Sequence, residues 1–451
     1  MRQPRPDRIK LRSGEFRLLF TGCLLAGFLS QATCRADNFY INASGPLGDG
    51  SGSSAENAAD ASTPLKYRAI NQTHSAPGTV IVYAPGTYLV SPAFSMFTGV
   101  THQGAGIDST VIKIADGSAA GTFTPMWLAD QGTISHFKFT DATIDFNPTH
   151  QPWWQQGKGA AMAFAFSTAD HCTIQRVKFI HLAARGVESF PVFFVVGPST
   201  KGNLNHNLVD SCIFTQPIAQ GNTNGGLTCI MLSDAEPDIT VDSTNVVSNC
   251  RFLNLKAPEY SDLPYTQCCT CPVAINNQAS GVDSLWFIEP GSQSMGNNAC
   301  FTGLTVQVTG NTLTDSGPVA LILIHPNGNF AANLNVENNK VGMTQHPYFK
   351  QGPGGPMGVS VLQYQTGNPP LGAITVQNNT FIAPPPMTLS PCAVSLNPRP
   401  GSGKYFHLAG LSVLNNTFVN FPQDGKELKI TTDPAFNPTY TTSGNVFGQE
   451  K

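Results

Sequence analysis

Apolar and polar positions alternate in short runs along most of this chain, and one run recurs. ITVQNNTF, Ile374 to Phe381, has counterparts in VDSCIF (Val209 to Phe214), VSNCRF (Val247 to Phe252), VTGNTL (Val308 to Leu313), VENNKV (Val336 to Val341), VLNNTF (Val413 to Phe418) and TSGNVF (Thr442 to Phe447). A weaker copy, TIQRVKF, ends at Phe179. The closing apolar residues from Phe214 to Phe447 follow one another at intervals of 38, 61, 28, 40, 37 and 29. β-branched residues flanking an asparagine kink, repeated every few tens of residues, predict stacked coils of short strands and exclude a helical bundle. Asn339, Asn379 and Asn416 are expected to turn the corners, because asparagine tolerates the left-handed backbone conformation. Stacked, they would form a ladder. A coil of three short strands needs roughly 20 residues, so the surplus leaves as loops and the longest interval holds two coils.

A second strand recurs between these copies: VFFVVGP (from Val192), LTCIMLSD (from Leu227), SLWFIEP (from Ser284), VALILIHP (from Val319), GVSVLQY (from Gly358) and CAVSLNP (from Cys392). Aligned on the last apolar residue, alternation sends Val196, Leu232, Ile288, Ile324, Leu362 and Leu396 inward, preceded two places earlier by Phe194, Ile230, Trp286, Ile322 and Val394. The opposite face then carries Phe193, Val195, Cys229, Met231, Leu285, Phe287, Leu321, Leu323, Val359 and Val361. That stripe is more apolar than a solvated sheet requires, so long loops cover it or a second copy of the chain does, the latter making a homo-oligomer such as a trimer.

Composition agrees with stacked strands joined by loops: charged residues are 12 percent, with 43 glycines and 34 prolines among 451 residues. Residues 1–36 carry Arg2, Arg5, Arg8, Lys10, Arg12 and Arg17, an apolar run from Leu18 to Leu29, and Cys34, Arg35 and Ala36 at a cleavage-like site. This reads as a secretory signal peptide and places the product in the secreted or periplasmic space. Residues 37–451 then form one continuous solenoid domain. TPLKYRAINQTH within it predicts a short amphipathic helix starting near Pro64. Cleavage removes seven basic and two acidic residues, leaving 18 basic against 26 acidic, a poor surface for nucleic acid or an anionic membrane. No later apolar run is long enough for a membrane span. Cys212 and Cys250 occupy one repeat position, which allows either a disulfide or two stacked thiols. Cys268, Cys269, Cys271 and Cys300 lack the usual spacing of paired metal knuckles. No cofactor is expected; calcium would find clustered oxygens only in SDAEPD, Ser233 to Asp238.

The succession of FYINASG, GTVIVYAPGTYLV, VTHQGAGIDSTVIKI and TIDFN resembles the opening of the pectate-lyase-like superfamily of right-handed parallel β-helices, in which a short helix caps the N-terminal end. The resemblance spans nearly the whole chain beyond residue 36 and implies that residues 37–451 form one all-β, right-handed parallel β-helix domain, a solenoid with an N-terminal cap over about residues 37–99. It does not name an activity, since lyases, hydrolases, uronate epimerases and phage tailspikes share that fold. The polygalacturonase signatures Asn-Thr-Asp, Asp-Asp and Gly-His-Gly are absent, and the one Arg-Ile-Lys, Arg8 to Lys10, lies in the leader. The Arg-x-Pro-x-x-Arg of pectate lyases and the Asp-Pro-His of mannuronan epimerases are missing too.

Candidate chemistry gathers where the second strand ends, in an outward row of Gly197, Ser233, Glu289, His325, Gln363 and Asn397, followed by Pro198, Asp234, Pro290, Pro326, Tyr364 and Pro398. Asp234 or Glu236 with Glu289 offers the carboxyl pair of a glycoside hydrolase. His325 as base with Arg399 as carboxylate neutraliser offers β-elimination from a uronide. A second cluster, His181, Arg185 and Glu188, lies just ahead of Val192. Trp153, Trp154 and Tyr364 are candidate sugar-stacking rings, the tryptophan pair having packing against the helix side as its alternative. The expected function is a polysaccharide-processing protein, a lyase or glycoside hydrolase acting on a uronate-containing glycan. A non-catalytic glycan-binding or structural β-helix is the alternative.

Overall fold

The computed structural model describes residues 37–119, 125–129, 132–157, 159–160, 162–166, 168–185, 192–196, 204–218, 227–234, 244–255, 266–269, 273–288, 305–324, 330–344, 357–363, 370–384, 391–398, 407–422, 428–430 and 440–448, some of them as backbone only. Residues 1–36, read above as a signal peptide, lie outside the described residues.

Parallel strands stack coil upon coil. One sheet of 24 strands carries the NNTF-type repeat, a second of 11 strands carries the other repeated strand, and a third of three strands is formed by Thr133–Ser135, Thr168–Asp170 and Leu204–Asn205. Each repeat sits on the next in register: Phe179 faces Phe214, Phe214 faces Phe252, Phe381 faces Phe418, and Phe418 faces Phe447. The long interval does hold two coils. Phe252 faces Ala279, which faces Leu313. That intermediate copy is closed by an alanine, which hides it in an apolar pattern.

The asparagines divide the corner between two positions. Asn338, Asn378 and Asn415 take the left-handed conformation, with φ of 57°, 55° and 54°. Asn339, Asn379 and Asn416, expected to turn the corner themselves, instead follow it and are buried. The reason is hydrogen bonding: each ladder side chain accepts from the coil before it and donates to a carbonyl beneath. Asn277 Oδ1 takes the N–H of Cys250, and the chain of such bonds continues through Asn311, Asn339, Asn379 and Asn416 to Asn445. Cys212 and Cys250 continue the column as free buried thiols, the second of the two alternatives their spacing allowed.

The helix expected near Pro64 spans Pro64–Thr73, with Thr63 Oγ1 accepting from the N–H of Lys66 at 3.3 Å. It buries Tyr67 and Asn71 and leaves Leu65 in solvent. The Tyr67 hydroxyl meets that of Tyr83 at 2.6 Å, and Tyr83 meets His102 Nδ1 at 2.6 Å, tying the helix to the first coils.

The second sheet corrects the hand alignment. Ile288 faces Ile322, not Ile324, and Ile324 faces Gln363, not Leu362. Val359 and Val361 therefore belong to the core, and Ser360 points outward with Phe287 and Leu321. The strand from Gly358 is apolar in both phases, so alternation alone does not fix its face. Ala165, Met231, Phe287, Leu321, Ser360 and Ser395, which share this outward register, are all buried within the single chain.

Candidate functional site

Of the residues singled out in the sequence, Glu289, His325, Arg399, Tyr364 and Glu188 lie outside the described residues. Asp234 ends the strand Leu227–Asp234 opposite Val196, and only its backbone is described. The alignment that put Glu289 and His325 in one row rested on pairing Ile288 with Ile324, and the observed pairing is two residues away.

Trp153 and Trp154 are only 3% and 9% exposed and pack into the core cluster, ring against ring at 5.9 Å. The expected stacking platform is thereby corrected to a packing pair. Gly159 explains the fit: its φ is 137°, and a Cβ there would fall 2.5 Å from the Trp153 ring.

The described residues bring a different pair together. Asp145 ends the strand Lys138–Asp145 and is buried. Its Oδ1 accepts from the N–H of Asn147 at 2.9 Å and lies 2.6 Å from Nδ1 of His181. Asn147 is itself fixed, donating its amide to Ile114 O at 2.9 Å and Asp116 Oδ1 at 2.7 Å. His181 occupies a left-handed corner with φ of 57°, its side chain 39% exposed. Three residues later the chain is pinned, because Ala184–Arg185 pairs antiparallel with Gly159–Ala160 of the tryptophan-bearing loop. Gln151 closes that loop from inside, donating to Ala115 O and Asn147 O and accepting from Ala119 N–H.

The arrangement is that of a positioned base. With Nδ1–H directed to a buried carboxylate, Nε2 carries the lone pair, and the ring is half open to solvent. His181 was legible as a candidate. Its partner was not, although Asp145 stands 36 residues earlier, about one coil.

At a separate left-handed corner, Arg176 donates to both carboxylate oxygens of Asp141, at 2.5 and 2.7 Å, and to Thr140 Oγ1 at 3.0 Å. The Arg176 guanidinium holds the Asp141 carboxyl below its ordinary range. Burial would push Asp210 up, but hydrogen bonds from Asn249, Gln175, Ser248 and Ser211 outweigh it and hold Asp210 low. These are locked charges, suited to positioning and not to proton transfer near neutrality.

No family model matches the chain, and no curated protein matches it in sequence. Solved structures do. A double mutant of the tailspike protein of E. coli bacteriophage HK620 is 12% identical, with a TM-score of 0.52 over 91% of this chain and 67% of that one. A mutant of the same tailspike in complex with pentasaccharide is 11% identical, with a TM-score of 0.51 over 85% of this chain and 62% of that one. The A-module of a mannuronan C-5 epimerase from Azotobacter vinelandii is 16% identical, with a TM-score of 0.39 over 90% of this chain and all of that one. At such identities the tailspike likeness carries the fold: the chain is a right-handed parallel β-helix.

Proposed function

We propose that this protein is a secreted or periplasmic glycan-processing β-helix that cleaves a uronate-containing polysaccharide by β-elimination, with His181 as the base. The observation that carries the reading is the 2.6 Å contact between His181 Nδ1 and the buried Asp145 carboxylate. The tailspike bound to pentasaccharide, a fold relative, supports a glycan as the ligand. In the reaction His181 Nε2 takes the proton from C5 of the uronate ring, the C4–O4 electron pair leaves with O4, and a C4=C5 double bond forms. The departing O4 takes its proton from water, and His181 passes the C5 proton on to solvent. Arg185, four residues along from His181, supplies the cation that neutralises the uronate carboxylate.

Asp234, Glu289, His325 and Arg399, which the observed register no longer sets in one row, are kept as the second candidates for the chemistry, because their residue types suit both elimination and hydrolysis. One experiment separates the two. Protein lacking residues 1–36 is incubated with pectic, alginate and neutral polysaccharides while new reducing ends and the ultraviolet absorbance of unsaturated uronide are followed. Both signals, lost in His181→Ala and kept in His325→Ala, support the reading. Reducing ends without absorbance, abolished by Glu289→Gln, move the site to the carboxylates. Binding without either signal leaves a non-catalytic glycan-binding protein.

A further inference from the structure

Three successive coils place a histidine at the same corner. His136, His171 and His206 stand 35 residues apart, and all three adopt the left-handed conformation, with φ of 56°, 54° and 54°. The residues after them, Phe137, Cys172 and Asn207, are buried, so the imidazoles stand on the outside. Their rings form a column: His136 and His171 are 5.0 Å apart and within 1° of parallel, and His171 and His206 are 4.3 Å apart at 13°. A left-handed corner does not call for histidine. Elsewhere in the described chain asparagine and glycine fill most such positions, and both suit that backbone as well or better.

A carboxylate joins the column. Asp170 ends the strand Thr168–Asp170, and its Oδ1 lies 2.9 Å from Nδ1 of His171 and 3.6 Å from Nδ1 of His206. The donor atoms of these three residues all lie within 4.8 Å of one another. Tetrahedral coordination with bonds of about 2.1 Å sets ligand atoms about 3.4 Å apart, a value the two observed separations bracket. Parallel rings must give way by a turn of one imidazole to aim both lone pairs at a shared ion. The side chains of His171 and His206 are each 48% exposed, which leaves room for that turn.

We propose that Asp170, His171 and His206 bind one divalent transition-metal ion, with solvent completing the coordination. Two imidazoles and one carboxylate suit Zn²⁺, Ni²⁺ or Cu²⁺ and not Ca²⁺ or Mg²⁺, which prefer an all-oxygen shell. The ion would clamp two adjacent coils from the outside. This site is separate from the Asp145–His181 pair and does not depend on the proposed reaction.

The test is calorimetric titration of untagged, chelator-treated protein with Zn²⁺, and with Ca²⁺ as the contrast, together with the visible spectrum on adding Co²⁺. One Zn²⁺ per chain is expected, with no heat from Ca²⁺ and a tetrahedral-type Co²⁺ band. His171→Asn and His206→Asn keep a residue suited to the left-handed corner, so the fold is retained. Each is expected to weaken Zn²⁺ binding by more than the roughly 10–100-fold that loss of a supporting hydrogen bond alone costs. Zn²⁺ should also raise the melting temperature of the parent and not of the double variant. Absence of Zn²⁺ binding overturns the proposal. So does binding that both substitutions leave unchanged, which would place the ion elsewhere.

Discussion

The backbone N–H and the side-chain amide of Asn379 both donate to Oδ1 of Asn416, at 2.9 and 3.0 Å, while Asn379 Oδ1 takes the same two donors from Asn339. Its amide also reaches Val336 O at 2.9 Å. Asn379→Ala leaves two buried donors and a carbonyl unpaired inside the stack, and is expected to cost about 2–5 kcal/mol. Asn445 ends the described ladder and is half-buried, so Asn445→Ala should cost less than about 1 kcal/mol. Urea unfolding of the two variants checks the difference. Equal losses would mean that the ladder does not act through its buried bonds.

His102 carries a pH dependence. It is fully buried among Trp127, Phe137 and Phe139, and burial pushes its pKa down from 6.5 to about 3. The folded protein keeps it neutral, whereas the unfolded chain takes up a proton below about pH 6.5. Stability is therefore present above that pH and is lost as the pH falls towards 3, at up to roughly 1.4 kcal/mol per pH unit. His102→Phe fits the surrounding rings and leaves the Tyr83 hydroxyl bonded to Tyr67. It should flatten the acid limb by about one proton, measured as unfolding free energy against pH. An unchanged slope would refute the assignment.

Asp145 is expected to matter through His181. Asp145→Asn keeps an oxygen for the Asn147 N–H but no longer provides a carboxylate for the imidazole. Under the proposed elimination, turnover should fall by about 10²–10⁴-fold, the usual contribution of general-base catalysis, with KM little changed. Full activity in Asp145→Asn would make the pair structural.

The sequence was most readable where one physical demand governs a position. VENNKV, ITVQNNTF and VLNNTF could be found because the corner and the ladder both demand small polar residues flanked by β-branched ones. Which asparagine turns and which is buried could not be read, since Asn378 and Asn379 are identical in type and differ only in the hydrogen bonds that stacking creates. The second strand misled for the opposite reason. With both faces apolar, GVSVLQY fits either phase, and Val359 and Leu362 exchange faces on a one-residue slip. The site pair failed as a sequence signal because Asp145 and His181 meet only through the length of a coil. The histidine column was visible in principle, as three residues 35 apart, but none of them sits within a repeat copy.

The outward row offers a last test. Ser360 and Ser395 face each other on neighbouring coils, both 0% exposed, and neither Oγ has a hydrogen-bond partner. A buried hydroxyl without a partner pays for its desolvation and gains nothing in return. Alanine at either position removes that cost and leaves only a small void, so Ser360→Ala and Ser395→Ala should each be neutral or stabilising by up to about 1 kcal/mol. Buried Asn379→Ala, by contrast, destabilises. The midpoints of urea unfolding compare all three directly. A loss of more than about 1 kcal/mol in either serine variant would show that the hydroxyls hold a bound water, and that this covered face is polar inside.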